Sequence, residues 1–288
     1  MNIHRIILAL SLLTACSAIA GTARVTDREA RPTDAAIERI YRAAVEDQDP
    51  AAMYALGNMF DAGVGVAQNH EEAFKWYSRA AGRGNGEAMN SLGIAYAQGE
   101  GVPQSYDLSF QWFLKAVHHG SVNAMSNIAI AYFRGAGRPV DYSEAARWFE
   151  RAALRGDAGA MNNLALQYEN GMGVTQNREI ALALFEHSAS LGYPQAMENL
   201  GVLYAKGEGV KQDVLVAYAW MEAALEAGLQ GEAREAVTQE MGALAARLGA
   251  KELAQARKLV AAISAEVVHH HPSQEAQPDS VPPKPDYL

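Results

Sequence analysis

The stretch from residue 88 to residue 120, AMNSLGIAYAQGEGVPQSYDLSFQWFLKAVHHG, contains the pattern that decides the fold. Its opening Ala-Met dipeptide occurs five times in the chain, and each copy follows the last by 36 residues without an insertion. The copies are Ala52-Met53, Ala88-Met89, Ala124-Met125, Ala160-Met161 and Ala196-Met197. A fixed period of this length indicates an array of stacked repeats, in which each unit buries its apolar face against its neighbours.

Each repeat predicts two short helices. The first helix has apolar or small residues at i, i+3, i+4 and i+7, the spacing of one buried stripe. In the first copy these residues are Met53, Leu56, Gly57 and Phe60. This helix ends at a glycine pair such as Gly63 and Gly65, because glycine readily adopts the left-handed conformation that closes a helix. The second helix, residues 71–83 in the first copy, ends at a single glycine, and these glycines are also 36 residues apart.

Large aromatic residues recur at two positions of the repeat. One position holds all four tryptophans, Trp76, Trp112, Trp148 and Trp220, with Leu184 in the fourth copy. The other holds Phe60, Tyr96, Tyr132, Tyr168 and Tyr204. We expect the tryptophan rings to occupy the space left by small residues such as Gly57 and Gly93 where helices pack closely. A core role of this kind predicts that Trp112→Ala costs about 3 to 5 kcal/mol of stability.

These motifs resemble those of a known family. The pattern Ala-Met-x-x-Leu-Gly-x-x-Tyr, then Gly-x-Gly-Val, then Ala-x-x-Trp-Phe-x-x-Ala is similar to the Sel-one-like repeat, a longer relative of the tetratricopeptide repeat. The resemblance covers residues 52–228. It implies an all-α fold, a right-handed α-α superhelical solenoid of about five 36-residue helix pairs with a concave inner wall. We expect a half repeat at residues 32–49, repeats over residues 52–231 and cap helices over residues 232–268.

The start of the chain predicts export. Residues 1–20 have a positive charge, then an apolar run, then small residues, which is the layout of a secretory signal. The sequence Leu13-Thr14-Ala15-Cys16 resembles the lipobox of bacterial lipoproteins, in which the cysteine is acylated. Alternatively, Ala18-Ile19-Ala20 is an ordinary cleavage site, and Cys16 is removed with the signal. Either reading predicts a periplasmic protein, and the first predicts an outer-membrane lipoprotein attached through Cys16.

Two further segments are predicted to lie outside the folded part. Residues 21–31 are expected to form a flexible linker. Residues 269–288 are expected to form a disordered tail, since their proline, serine and glutamine content cannot bury enough apolar area to fold.

The composition disfavours several classes of function. The 288 residues carry a formal net charge of -9, and a nucleic-acid partner requires clustered cations. The single cysteine cannot form an intramolecular disulfide or supply the paired thiolates of a structural zinc site. The Gly-x-Gly pairs follow helices and recur in every repeat, whereas a phosphate-binding loop follows a strand and occurs once.

The histidines predict no metal site, and no cofactor is expected. His70 and His187 are isolated in the sequence, and His118 and His119 lie together at the end of a predicted second helix. A run of three at residues 269–271 opens the tail, where adjacent imidazoles could capture a transition metal. We favour a solvated linker for that run.

The resemblance implies a partner-binding groove on the inner wall, formed by the first helix of each repeat. The expected groove residues are Asn90, Asn127, Asn162, Asn163, Asn199, Ile94, Ile130, Phe133 and Leu166. The series Asn127, Asn163 and Asn199 resembles the asparagine ladder of related superhelical repeats, which holds an extended peptide. An asparagine amide suits this use because it offers a donor and an acceptor that match a peptide unit. Alternatively, the amides join neighbouring repeats, and the apolar row forms a second layer of core.

These features favour a non-catalytic, monomeric scaffold or adaptor in the bacterial envelope that binds a partner protein or an extended peptide. A second hypothesis is a protein that binds or hydrolyses peptidoglycan fragments. A carboxylate pair facing the groove would favour this hypothesis. The acidic residues placed on the inner wall are Asp61, Glu169 and Glu198. A third hypothesis is a regulator of an envelope enzyme.

Overall fold

The computed structural model describes residues 34–269, which form thirteen helices and no strand. The helices are α1 (Asp34–Val45), α2 (Pro50–Ala62), α3 (His70–Ala81), α4 (Gly86–Gln98), α5 (Tyr106–His118), α6 (Val122–Arg134), α7 (Tyr142–Ala153), α8 (Ala158–Asn170), α9 (Arg178–Ser190), α10 (Pro194–Lys206), α11 (Val214–Glu226), α12 (Gly231–Ala245) and α13 (Ala250–His269). The predicted signal, Cys16, the predicted linker and residues 270–288 lie outside the described residues.

The described residues belong to two compact units. The N-terminal unit, residues 34–177, contains α1 to α8, and the C-terminal unit, residues 178–269, contains α9 to α13. Among the described helices, none is long and apolar enough to cross a membrane.

Polar caps and glycines set the ends of the helices. The first helices of the first four repeats begin after Asp49, Asn85, Ser121 and Asp157, and each of these side chains accepts a hydrogen bond from the backbone of its helix. Such caps satisfy N–H groups that have no partner within the helix. The first helices of all five repeats end at a glycine with φ between 67° and 77°. The predicted role of these glycines as helix stops is confirmed.

Helix packing follows the order of the chain in each unit. In the N-terminal unit the two helices of a repeat pack together, as α2 does with α3, and the second helix also packs on the first helix of the next repeat. In the C-terminal unit α9 packs on α10 and α10 on α11, while α12 and α13 both contact α11. Stacking of neighbours in this way confirms the predicted all-α solenoid fold.

The ring that packs against the small residues belongs to the residue after the tryptophan. A Cβ on Gly57 would lie 2.5 Å from Cε1 of Tyr77, and a Cβ on Gly93 would overlap the ring of Phe113. The expectation that tryptophan occupies this space is therefore wrong. Successive residues point about 100° apart around a helix, so the residue that follows each tryptophan faces the first helix of its own repeat.

The tryptophans take a more peripheral place. Trp76 is buried, whereas Trp112, Trp148 and Trp220 are half-buried. In the first three repeats a cation three residues later lies over the tryptophan ring, 4.1 to 4.4 Å from its centroid. These cations are Arg79, Lys115 and Arg151. The stacked cation shields the outer face of each ring and adds a cation–π attraction.

The second aromatic position joins neighbouring repeats. Tyr96 on α4 meets Phe74 on α3 edge to face, with the ring centroids 5.5 Å apart. Tyr132 on α6 meets Phe110 on α5 in the same way, at 5.6 Å. Each contact therefore links the second helix of one repeat to the first helix of the next. Tyr168 and Tyr204 are half-buried at the matching positions.

We expect Phe113→Ala to lower the free energy of unfolding by about 3 to 5 kcal/mol, because it empties the space over Gly93. Trp112→Ala should cost less than that range, since its ring is only half-buried. Chemical denaturation of both variants tests this order, with the exposed Leu114→Ala as the control. A larger loss for Trp112→Ala than for Phe113→Ala would contradict the assignment.

Candidate partner-binding surface

The predicted groove asparagines are buried to different degrees. Asn90, Asn162 and Asn163 are only 6%, 4% and 3% exposed, whereas Asn127 and Asn199 are half-buried. A ladder that holds a peptide backbone needs its amides at the surface. Asn90, Asn162 and Asn163 therefore do not line a groove, and this part of the prediction is wrong. Of the predicted ladder, Asn127 and Asn199 keep part of their surface.

In the N-terminal unit the amides join neighbouring repeats. The side-chain N–H of Asn127 on α6 donates to the carbonyl oxygen of Asn90 on α4 at 2.8 Å. One turn earlier on α6, Asn123 donates to Glu87 on α4 at 3.0 Å. The alternative that asparagines close hydrogen bonds between repeats therefore holds for this pair.

The matching bond is absent one repeat later, within the described part of the chain. The hydroxyl of Ser126, which has the place of Asn90 in the next repeat, donates to the carboxylate of Asp157 at 2.5 Å. The carbonyl oxygen of Asn163 is buried and accepts no hydrogen bond. A buried acceptor without a donor costs about 1 to 3 kcal/mol, so Asn163 is a weak point of the packing.

The predicted apolar row is largely a second layer of core. Leu166 is buried, and Ile94 and Ile130 are half-buried. Ile94 packs against the core of the N-terminal unit. These side chains therefore contribute to helix packing, as the alternative interpretation proposed.

Phe133, the last predicted groove residue, lies beside exposed apolar side chains. Its ring meets the ring of Tyr142 at 5.0 Å. Around the loop after α6, Tyr106, Val140 and Tyr142 are 43%, 51% and 41% exposed. We call Tyr106, Phe133, Val140 and Tyr142 the loop patch.

Glycines of the loop after α6 let Tyr106 and Val140 pack closely against it. A Cβ on Gly137 would lie 2.6 Å from Cβ of Tyr106, and one on Gly135 would lie 2.9 Å from a methyl group of Val140. Only glycine permits so close an approach. Sequence reasoning missed these neighbours of Phe133, although Tyr106 and Tyr142 hold the same repeat position, 36 residues apart.

A polar cluster occupies the place of Phe133 and Tyr142 two repeats earlier. Nδ1 of His70, the first residue of α3, lies 2.8 Å from a carboxylate oxygen of Asp61 near the end of α2. Glu100, in the loop after α4, brings a third ligand atom, and all three atoms lie within 4.8 Å of one another. The prediction that His70 is isolated is wrong, because folding brings together residues that are far apart in the sequence.

The acidic residues placed on the inner wall lie on three different helices. Asp61 on α2 is hydrogen-bonded to His70, and Glu169 lies on α8. Glu198 on α10 is half-buried, and burial together with the nearby charge of Glu240 raises its pKa to about 7. Burial also raises the pKa of Tyr77, whose hydroxyl donates to Asn58.

Comparison with known proteins identifies the repeat. The family model described as the Sel1 repeat matches residues 50–85, 86–121, 122–157, 158–193 and 194–229. No curated protein is significantly similar in sequence.

Two solved structures resemble the chain. A Sel1 repeat protein from Oxalobacter formigenes is 28% identical, with a TM-score of 0.64, over 78% of this chain and 99% of that one. A protective antigen present in uropathogenic Escherichia coli strains, which displays an SLR fold, is 25% identical, with a TM-score of 0.68, over 84% of this chain. The match covers 52% of the antigen, so this chain spans about half of its length.

We expect Asn127→Ala to lower the free energy of unfolding by about 1 to 2 kcal/mol, because it leaves the buried carbonyl oxygen of Asn90 without its donor. Chemical denaturation measures the loss, with the exposed Gln111→Ala on α5 as the control. If Asn127→Ala unfolded at the same denaturant concentration as the unmodified protein, the amide pair would not hold the repeats together.

Proposed function

Because the chain belongs to the Sel1 repeat family, whose members are commonly non-catalytic scaffolds for protein interactions, we propose that it is an envelope scaffold that binds a partner protein. The partner is held by the loop patch rather than by an asparagine ladder. The scaffold acts as a monomer.

The exposed loop patch is the observation that carries this proposal. Three of its four side chains are large hydrophobic groups that are more than 40% exposed, and all four lie on or beside the loop after α6. Clustered exposed apolar side chains mark interaction sites, whereas scattered ones are ordinary. Tyrosine is also among the residues that contribute most to binding energy at protein interfaces.

The repeat architecture supports the same location. The core positions keep their character from repeat to repeat, as Tyr77 and Phe113 do. The position of Phe133 instead varies among Asp61, Ala97 and Glu169. Positions that are free of packing constraints can vary in this way, and in repeat proteins they form the binding surface.

The partner that suits the loop patch offers apolar side chains. The rings of Phe133 and Tyr142 meet at an angle of 60° and form a shaped apolar surface. The phenol groups of Tyr106 and Tyr142 add donors at its rim, and Gln104 already donates to the hydroxyl of Tyr106 at 3.2 Å. An extended segment with one or two apolar side chains would bury this surface.

Export and lipid attachment belong to the same proposal. They rest on the signal-like residues 1–20 and on the lipobox that ends at Cys16. A protein with the same fold is a protective antigen in uropathogenic Escherichia coli strains, which is in keeping with an exported protein. The lipid anchors the scaffold to the outer membrane, where its partner is an envelope protein.

We expect Tyr142→Ser to reduce recovery of the partner sharply, since it removes the exposed ring of the loop patch that packs on Phe133. The measurement is quantitative affinity purification from membranes of cells that express the full chain. Tyr41→Ser is the matched control, because Tyr41 is also an exposed tyrosine but lies on α1. Equal recovery of the same proteins by both variants would refute binding at the loop patch.

We expect Cys16→Ser to abolish incorporation of labelled palmitate and to release the protein from membranes, because the lipid is attached through the cysteine sulfur. Ser17→Ala, next to the modified residue, should still incorporate label. Labelling that persists in Cys16→Ser would refute lipid attachment at this residue while leaving binding at the loop patch untouched.

A further inference from the structure

We infer that Asp61, His70 and Glu100 form a binding site for a divalent transition-metal ion such as Zn²⁺. The site is independent of the loop patch and of any partner.

The three donor atoms are of the kinds that bind Zn²⁺, and their separations are close to those found around a bound ion. Each residue offers one ligand atom, and the three atoms lie within 4.8 Å of one another. Around an ion with bonds of about 2.0 to 2.2 Å, ligand atoms lie roughly 3 to 4 Å apart. The His70 Nδ1 to Asp61 contact of 2.8 Å must therefore widen slightly, and the exposed Glu100 must turn inward.

The backbone holds the three segments in place. Gly101 lies so close to the backbone of His70 that a Cβ there would overlap the carbonyl group of His70. Glu100 is the neighbour of Gly101, so this contact fixes the loop beside the imidazole. On the other side, the side-chain amide of Gln68 donates to the backbone oxygen of Asp61 at 2.8 Å and ties down the end of α2.

The charge of the cluster favours a cation. Two carboxylates and one imidazole converge, and among residues 34–269 no lysine or arginine forms an ion pair with Asp61 or Glu100. The only ion-pair partner of Asp61 in that part of the chain is His70. A divalent ion would neutralise both carboxylates.

The donor set selects the class of ion. An imidazole nitrogen suits Zn²⁺ and other first-row transition metals, whereas Mg²⁺ and Ca²⁺ prefer oxygen ligands alone. Three protein ligands leave at least one coordination position for water.

The repeat fold does not require this set of residues. The matching positions one repeat later hold Ala97, Tyr106 and Ala136, and those of the next repeat hold Phe133, Tyr142 and Met172. The close glycine contacts are present there too, between Gly137 and Tyr106 and between Gly173 and Tyr142. The junction therefore forms with apolar side chains, and the Asp-His-Glu combination is particular to the first one.

Zinc titration by calorimetry tests the site. The full chain is used without an affinity tag, with Cys16 and the histidines at residues 269–271 replaced by serine, so that they cannot capture the ion. We expect one Zn²⁺ per chain, and His70→Ala and Glu100→Gln should each weaken binding at least about tenfold. The double variant His118→Ala/His119→Ala, which removes the exposed histidine pair on α5 and its C-cap, is the control and should bind as before.

Two further measurements separate binding from folding. Circular dichroism should show that Glu100→Gln keeps its helices, since the side chain is exposed and lies in a loop. Excess Mg²⁺ should not displace Zn²⁺. Zinc binding that is absent, that survives both His70→Ala and Glu100→Gln, or that disappears only in the His118/His119 variant would overturn the assignment.

Discussion

The close packing of a large side chain on a small residue is the contact on which the rest of the structure depends. Tyr77 lies on Gly57, Phe113 on Gly93 and, in the C-terminal unit, Met221 on Gly201. A glycine at this place lets two helices approach closely, and the large side chain then fills the remaining space. Because the contact recurs in successive repeats, helix pairs can stack in register, with aromatic contacts such as Phe74 with Tyr96 between them.

This packing leaves one edge of the repeats free to vary. The loop after each first helix is held against the previous repeat by the close approach of a glycine, as Gly101 is against His70 and Gly137 against Tyr106. Backbone contacts do not depend on the side chains beside them. The same edge therefore holds a polar cluster around His70 and an apolar patch around Phe133, and these are the two surfaces to which we assign binding.

The period, helix boundaries and fold class were predictable from the chain alone, because they depend on local rules. A glycine pair that follows an apolar stripe ends the helix in a left-handed conformation, so Gly63 and Gly99 mark helix ends in the sequence. The candidate site was predicted less well. Asn90 and Asn127 were both identified as groove residues, but whether an amide faces a ligand or a neighbouring repeat depends on what lies opposite. The 2.8 Å hydrogen bond between these two side chains shows that their amides join neighbouring repeats.

The sequence by itself therefore determined the repeat, its register and the alternation of two helices. Small and apolar residues at a regular spacing define the faces on which neighbouring helices pack. Only the tertiary structure decided which ring packs on Gly93, that His70 meets Asp61 and Glu100, and that Phe133 packs on the exposed Tyr142. The reason is geometric. A rotation of about 100° between successive residues decides which side chain faces the core, and contacts between repeats join residues about 30 positions apart, such as Glu100 and His70, that no local pattern connects.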